Sequence, residues 1–247
     1  DLRPQLLINA AAYTAVDRAE TEEDKAYAVN ARGAENLARS AQVAGIPLFH
    51  ISTDYVFNGD SSAAYLEQAT TDPQTVYGRS KLAGEQSVAT LCPRHVILRT
   101  SWVFSAHGGN FVKTMLRLAA ERDELRVVAD QYGGPTSAAS IAACLWKMAD
   151  EYRSKQEGFN WGLFHFSGAP QTSWHGFADH IIAAAATAGL IQRSPQVQPI
   201  TSAEFPTPAP RPAFSVLNCE KIREQHGIEQ PDWRGDVLVV LAELGKA

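Results

Sequence analysis

The sequence predicts an α/β fold, a doubly wound parallel sheet joined to a smaller C-terminal α+β domain. Three observations support this prediction. Short apolar runs alternate with longer segments of helical apolar spacing through residues 1–110, which is typical of strands buried on both faces and joined by right-handed helical crossovers. The strand-like runs end in small or polar residues, and the carboxyl ends of parallel strands form the ligand-binding edge of such sheets. After residue 110 the regular alternation is lost.

The elements of the first part follow in a regular order. A short apolar run predicts the first strand, and a helical pattern with early acidic residues, closed by Gly45, predicts the first helix. A second strand, a polar loop, a helix that begins near Tyr77 and a third strand complete the pattern. In order, these elements cover residues 5–12, 17–44, 47–52, 58–75, 77–91 and 95–102.

The second part is predicted to contain further helices and short strands, and one segment that fits neither a helix nor a strand. Six prolines between residues 194 and 212 make that segment too proline-rich for a helix or a central strand, so we predict a loop there. The remaining patterns predict helices over 111–122, 137–152, 174–189, 220–226 and 236–244, and strands over 125–129 and 162–166. We assign 1–110 to a dinucleotide-binding domain that lacks its first βαβ unit, and 111–247 mainly to a substrate-binding domain with segments that return to the sheet.

Composition and charge exclude several classes of protein. A net charge of -5 without a concentrated basic run argues against a nucleic-acid binder. Cys92, Cys144 and Cys219 are scattered and form no CxxC pair, so neither a disulfide framework nor a thiolate metal site is expected, and a reducing cytoplasm fits. No apolar run approaches the ~18 residues of a membrane helix, so no membrane partner is expected.

Tyr77 and Lys81 stand four residues apart where a helical pattern begins, and therefore project from one helix face. A phenol titrates near pH ~10, and a neighbouring cation favours the phenolate and lowers that pKa. The alternative is a surface tyrosine and a solvated lysine on an amphipathic helix, and the pair alone is weak evidence against it. The pair gains weight because three strand ends, at 9–14, 52–55 and 100–102, are expected to converge beside it.

Seven segments, in order along nearly the whole chain, resemble the extended short-chain dehydrogenase/reductases. They are NAAAYTAVD at 9–17, STDYVF at 52–57, YGRSKLAGE at 77–85, RTSWVF at 99–104, NF at 110–111, DQYGGPT at 130–136 and PTPAPRP at 206–212. The resemblance implies a Rossmann-like fold, NADPH or NADH as cofactor and a dTDP-sugar as substrate. It further implies reduction of the 4-keto group of dTDP-4-dehydro-6-deoxy-L-mannose, which gives dTDP-L-rhamnose.

The resemblance also implies the catalytic residues. Tyr77 would protonate the C4 oxygen, and Lys81 would lower the Tyr77 pKa and hold the nicotinamide ribose. Thr53, 24 residues before Tyr77, occupies the position whose hydroxyl bonds the substrate carbonyl, where charge develops in the transition state. The alternative for Thr53 is a strand-end hydroxyl that bonds a local backbone group.

Binding residues follow from the same resemblance. Asp54 and Trp102 would contact the sugar nucleotide, although Trp102 could equally be a core aromatic. Arg211 suits a diphosphate clamp, because guanidinium binds phosphate oxygens in bidentate fashion; the alternative is an exposed loop arginine. For the cofactor, Ala12, Tyr13, Thr14, Tyr77 and Lys81 are the expected contacts, and Asn30 is expected to brace the active-site strand.

Two departures from the family pattern qualify these expectations. No GxGxxG or GxxGxxG phosphate loop occurs in the sequence, and about 50 residues that would hold it are expected to be missing at the start. A chain that truly begins at Asp1 is expected to bind NADPH weakly and to be nearly inactive. Ala139 stands where some members carry a glutamate for a magnesium-linked dimer, so no metal site is predicted, and monomer and homodimer both stay open.

Two alternatives to the reductase stay open on the same fold. One is a non-catalytic regulatory or binding subunit, favoured by the missing phosphate loop. The other is a related nucleotide-sugar epimerase or dehydratase, which would keep the Tyr77 and Lys81 pair but not the context of Trp102 and residues 131–136.

Overall fold

The strands of the chain are described from a computed structural model that covers residues 3–155 and 157–246. They are β1 (Leu7–Asn9), β2 (Leu48–Thr53), β3 (His95–Thr100), β4 (Val103–Phe104), β5 (Glu124–Val128), β6 (Tyr132–Gly133), β7 (Thr136–Ser137), β8 (Gly162–His165), β9 (Thr172–Ser173) and β10 (Gln196–Ile200). β1, β2, β3 and β8 form the main sheet in that order, and every neighbouring pair in it is parallel, as predicted.

The α-helices are α1 (Val16–Ala19), α2 (Glu23–Tyr27), α3 (Ala34–Ala44), α4 (Val76–Leu91), α5 (Phe111–Glu121), α6 (Ala138–Lys155), α7 (Trp174–Thr187), α8 (Glu220–His226) and α9 (Trp233–Leu244). Helices cover both faces of the main sheet. On one face, small side chains of α3 such as Ala38 let the helix approach Leu48 and Ile97 closely. On the other, Met148 of α6 and Ile222 of α8 pack against the sheet. This arrangement confirms the doubly wound fold.

A second hydrophobic core lies between α5, α7 and α9 and a small parallel sheet of β5 and β10. Its centre is aromatic, with the Phe177 ring 5.5 Å from Phe104 and 5.4 Å from Trp233 between centroids. We call the residues of this cluster the second core. Among residues 3–155 and 157–246, no helix is long and apolar enough to cross a membrane.

Two predictions of local structure were wrong. Residues 17–44 do not form one helix, because a turn after α1 and a π-helical segment, Ala28–Gly33, divide them. The turn has a use, since it lets the Glu20 carboxylate accept a hydrogen bond from the backbone N–H of Val76 at 2.9 Å. The proline-rich segment contains β10, which tolerates Pro199 because that strand pairs on one side only, with β5.

Candidate active site

A cleft of about 920 Å³ opens at the carboxyl ends of β1, β2 and β3. The expected convergence of three strand ends is therefore confirmed. The helix α4 forms one side of the cleft and α6 the opposite side. Of the predicted site residues, the cleft is lined by Ala12, Thr14, Thr53, Asp54, Tyr77, Lys81 and Trp102.

The first turn of α4 holds Tyr77 at the cleft. The Thr75 side chain caps the helix by accepting a hydrogen bond from the backbone N–H of Gly78 at 3.0 Å. Next to it, the Ser80 hydroxyl donates to the Tyr77 carbonyl at 2.8 Å. These contacts fix the backbone that carries the phenol.

Gly78 brings the end of β2 against α4. A Cβ atom at this position would lie 2.2 Å from the Tyr55 carbonyl oxygen and 3.0 Å from the Pro73 Cβ. Only a residue without a side chain allows this approach. Because Tyr55 lies two residues after Thr53, the contact sets the spacing between the Thr53 hydroxyl and the Tyr77 phenol.

The ionisation of Tyr77 is set mainly by burial. Burial raises the pKa of Tyr77 to about 12, and the nearby Thr53 hydroxyl opposes this only in part. Lys81 is not among the groups that shift the Tyr77 pKa in this structure, and its ammonium donates to the Ile51 carbonyl oxygen instead. The expected lowering of the Tyr77 pKa by Lys81 stays a prediction. A raised pKa keeps the phenol protonated at neutral pH, and a protonated phenol is the form that can donate a proton.

Lys81 is only 2% exposed. Its Nζ donates a hydrogen bond to the Ile51 carbonyl oxygen at 2.7 Å. Burial lowers the pKa of Lys81 to about 8, while the Glu85 carboxylate acts in the opposite direction. The ammonium therefore loses its proton far more readily than an exposed lysine.

Thr53 and Asp54 form a linked pair at the end of β2. The Thr53 hydroxyl donates to Asp54 Oδ1 at 3.0 Å and accepts a hydrogen bond from the Tyr55 backbone N–H at 3.2 Å. The local backbone bond considered as an alternative is thus present, alongside the contact with Tyr77. Burial raises the pKa of Asp54 to about 6, although the nearby Ser215 hydroxyl and the hydrogen bond from Thr53 oppose the shift.

Trp102 has an unusual backbone for a non-glycine residue, with φ of 48° in the left-handed region. The turn directs its ring onto Trp174, with centroids 3.6 Å apart and planes inclined by 8°. The ring is partly exposed on the cleft. Trp102 is therefore not a fully buried core aromatic, and the stack with Trp174 holds its ring in place.

Asn30 was expected to brace the active-site strand, but its side-chain hydrogen bonds are to the loop that follows β1 and to α4. Its side chain accepts a hydrogen bond from the Tyr13 N–H at 2.8 Å and donates to the Tyr13 carbonyl at 3.1 Å and to Ser80 Oγ at 2.9 Å. The Tyr13 ring turns away from the cleft, and its hydroxyl donates to Glu22 at 2.9 Å. Ala12 and Thr14 keep their side chains at the cleft wall.

Arg211 lies outside the lining of the main cleft. Its guanidinium donates to Asp17 Oδ2 at 2.7 Å and to the Ala209 carbonyl oxygen at 2.9 Å. Asp17 also accepts from the Ala209 backbone N–H at 3.1 Å, so it fastens the proline-rich segment to α1. Arg211 is therefore not the exposed loop arginine considered as an alternative. In this structure its guanidinium bonds Asp17 and Ala209 rather than facing the main cleft.

The cleft suits a nicotinamide cofactor. The hydroxyls of Ser52 and Thr100 are buried in its wall and have no hydrogen-bond partner within the described residues. Lys81 supplies a donor beside them, and the small side chains of Ala10 and Ala12 leave the wall open for close approach. Residues 3–155 and 157–246 contain no cluster of three His, Cys, Asp or Glu that could hold a metal ion, and Ala139 is an exposed residue at the start of α6.

Sequence reasoning missed two side chains that support the site. Trp174 lies 72 residues after Trp102, and nothing in the local pattern indicates their stack. Asp17 was assigned only to the start of a helix, although it pairs with Arg211 across the chain. Both contacts depend on how the second part folds back, which spacing alone does not reveal.

The chain is similar to known proteins along nearly its whole length. The family model described as RmlD substrate binding domain matches residues 1–245. A dTDP-4-dehydrorhamnose reductase of Sinorhizobium fredii is 47% identical over 94% of this chain and 78% of its own length. A crystal structure of a dTDP-4-dehydrorhamnose reductase of Clostridium acetobutylicum has a TM-score of 0.90 at 38% identity, covering 98% of this chain and 82% of that one.

A further structure shows a relative with its cofactor. The dTDP-4-dehydrorhamnose reductase of Bacillus anthracis, solved in complex with NADP, has a TM-score of 0.87 at 39% identity, covering 98% of this chain and 81% of that one. The match extends through both cores rather than through the sheet alone. The chain therefore belongs to the RmlD substrate binding domain family, together with the dTDP-4-dehydrorhamnose reductases.

Proposed function

We propose that this chain reduces the 4-keto group of dTDP-4-dehydro-6-deoxy-L-mannose to give dTDP-L-rhamnose, with NADPH or NADH. The observation that carries the proposal is the meeting of Thr53, Tyr77 and Lys81 at one cleft, in the order and spacing of the family's reductases. The activity named for relatives at 47% and 41% identity supports the same reaction.

The chain's own residues account for the proton side of this reaction. Tyr77, which is protonated at neutral pH, donates its phenolic proton to the C4 oxygen as negative charge develops there. The Thr53 hydroxyl bonds the same oxygen and stabilises that charge. The hydride is supplied by the bound nicotinamide. Lys81 is the group that holds the nicotinamide ribose and stabilises the phenolate that Tyr77 leaves behind.

The binding residues complete the proposal. Asp54 and Trp102 contact the sugar nucleotide, and Ala12, Tyr13 and Thr14 lie along the cofactor. Arg211 binds the substrate diphosphate, which requires the guanidinium to share or leave its bond with Asp17. We assign 1–110 to cofactor binding and 111–247 mainly to substrate binding. The reducing cytoplasm is the proposed location, and the free, buried Cys92, Cys144 and Cys219 are consistent with it.

The decisive experiment compares two phenols that lie side by side. The rings of Tyr55 and Tyr77 have centroids 5.5 Å apart, so Tyr55→Phe is a matched control for Tyr77→Phe. We expect Tyr77→Phe to lower kcat by about 10²- to 10⁴-fold, because it removes the proton donor, and Tyr55→Phe to change kcat by less than about tenfold. The measurement is NADPH or NADH consumption with the 4-keto sugar nucleotide by the complete polypeptide.

The same experiment separates the alternatives. An unchanged rate in Tyr77→Phe rules out the proposed proton donor, and the absence of any turnover favours a binding subunit. An epimerase or dehydratase would change the sugar without net consumption of the cofactor.

A further inference from the structure

A layer of buried charges lies beneath the Tyr77 phenol, between α4 and the main sheet. Successive turns of α4 carry Tyr77, Lys81 and Glu85 on the face that meets the sheet. Arg99 of β3 binds Glu85 through two parallel hydrogen bonds, from Nε to Oε1 at 2.9 Å and from Nη2 to Oε2 at 2.6 Å. The pair thus has the bidentate geometry that fixes both side chains.

This layer is costly for a folded protein. Lys81, Glu85 and Arg99 are 2%, 5% and 3% exposed. Removing a charged pair from water costs as much as, or more than, the pair's attraction returns, so a buried ion pair is weak evidence for a role in stability. Arg99 Nη1 has no hydrogen-bond partner within the described residues. The pair's arrangement therefore calls for a reason other than stability.

We propose that Glu85, fixed in place by Arg99 one helical turn from Lys81, is a positioning residue that keeps the Lys81 ammonium charged beneath Tyr77. The inference rests on the proposed reductase function. It adds to the site a residue that lies one helical turn beyond the catalytic lysine. Glu85 touches neither the cleft nor the reacting atoms, since it is absent from the residues that line the cleft. It acts through Lys81 alone.

The groups around Lys81 support this assignment. On β2, the His50 ring accepts a hydrogen bond from the Asn9 side chain, and burial, with Lys81 contributing, lowers the pKa of His50 to about 3, so the ring is neutral. Tyr77 is a neutral phenol, and Asp54 is held at the end of β2 by Thr53. Arg99 brings a second positive charge into the layer.

Glu85 is the carboxylate that opposes the burial of Lys81. Burial alone lowers the pKa of Lys81, and Glu85 is the charge that raises it. Without a fixed Glu85, the pKa of Lys81 would fall further, and the lysine would lose its proton at a lower pH than in the wild type. A neutral amine would no longer stabilise the phenolate that forms when Tyr77 donates its proton.

The test follows the ionisation of Lys81 directly, without relying on turnover. The chain contains seven lysines, so ¹³C-lysine labelling gives few NMR signals, and Lys81→Arg identifies the one from Lys81. In the wild type we expect its midpoint near 8. In Glu85→Gln we expect a midpoint lower by about one pH unit, a tenfold change in the ionisation constant, and in Glu85→Asp a midpoint near the wild type.

A second variant covers the case in which Glu85→Gln, with Arg99 left unpaired, fails to fold. Glu85→Met combined with Arg99→Met replaces the pair by apolar side chains of similar size, a change that proteins often tolerate. The Lys81 midpoint is again expected to fall. A wild-type midpoint in Glu85→Gln or, where that variant does not fold, in the double variant overturns the proposal.

Kinetics separate this proposal from the reductase function on which it rests. If both hold, the alkaline limb of the pH profile of kcat/KM moves to lower pH in Glu85→Gln, while Tyr77→Phe is slow at every pH. If the wild-type chain reduces no sugar nucleotide but the Lys81 midpoint still shifts, the function fails and the positioning role of Glu85 stands. A merely structural Glu85 would alter stability and leave both the midpoint and the alkaline limb in place.

Discussion

The two cores of the chain are both apolar but differ in where they hold charged side chains. Beneath α4 the structure buries an ion pair, Arg99 with Glu85, at side-chain exposures of 4% and 5%. Around the second core the ion pairs lie at the surface, such as Arg126 with Glu204 at 57% and 46%, while the interior is apolar and aromatic. The first region thus buries a charged layer beside its apolar packing, whereas the ion pairs of the second lie at its surface.

The largest effect on stability is expected from a substitution in the second core. Phe177 is fully buried among aromatic rings, so Phe177→Ala should lower the free energy of unfolding by about 3 to 5 kcal/mol through lost burial and a residual cavity. Urea unfolding with an unchanged m-value measures the loss. Phe205→Ala is the control, because Phe205 is 58% exposed and its loss should cost no more than about 0.5 kcal/mol.

The next effect has the opposite sign and tests the first region. Because the folded pKa of Asp54 is raised to about 6 from its usual 3.8, the folded state binds the proton more tightly, and ionisation of the carboxyl costs stability as pH rises from about 4 to 6. Asp54→Asn should therefore stabilise the protein by about 2 to 3 kcal/mol at pH 7.5. The gain should vanish below pH about 4.

Unfolding free energies of Asp54→Asn and wild type between pH 4 and 8 check this prediction. A gain that does not depend on pH would contradict the raised pKa of Asp54. Binding of the sugar nucleotide should weaken in the same variant if Asp54 contacts the substrate. Such a trade of stability for binding would mark the first region as a functional one.

A smaller effect compares two matched helix caps. Thr75 caps α4 and Ser173 caps α7, each by accepting a hydrogen bond from a glycine N–H at 3.0 Å. Thr75→Ala and Ser173→Ala should each lower the free energy of unfolding by about 1 kcal/mol. Only Thr75→Ala should also lower kcat, since α4 carries Tyr77 and Lys81. Equal kcat losses in both variants would contradict the prediction that α4 in particular positions the catalytic side chains.

The smallest effect is expected at the surface of the second core. Arg126→Ala removes an ion pair with Glu204 whose partners are both more than one-third exposed. Solvent screening leaves such a pair worth about 0 to 1 kcal/mol, and the change in unfolding midpoint should be near the limit of measurement. If Arg126→Ala lowered the free energy of unfolding by about 2 kcal/mol or more, the surface ion pairs would contribute substantially to stability. The contrast with the buried Arg99–Glu85 pair would then be wrong.

Much of the fold could be predicted because its signals are local. The apolar runs that became β1, β2, β3 and β8 and the start of α4 were placed within a few residues, since short buried strands and amphipathic helices leave clear patterns in the sequence. The turn after α1 was missed because the contact that accompanies it is not local. The Glu20 carboxylate bonds the N-terminus of α4, 56 residues later.

The candidate site was predictable in its membership more than in its chemistry. The motif around Tyr77 and Lys81 placed both residues at the cleft, yet it suggested a lowered phenol pKa, whereas burial raises it. A motif specifies which residues meet but not how much water they lose. The Arg211 bond to Asp17, which joins residues 194 positions apart, likewise follows from the folded chain and not from either segment.

Gly78 carries no functional group, yet the geometry leaves it little freedom to vary. Because the Tyr55 carbonyl occupies the space where a side chain would begin, even one added methyl group must push α4 and the turn that follows β2 apart. The position is thus as intolerant of replacement as that of the phenol beside it, for a reason of volume and not of reactivity. In a search for variants with altered substrate preference, residue 78 is one to leave untouched.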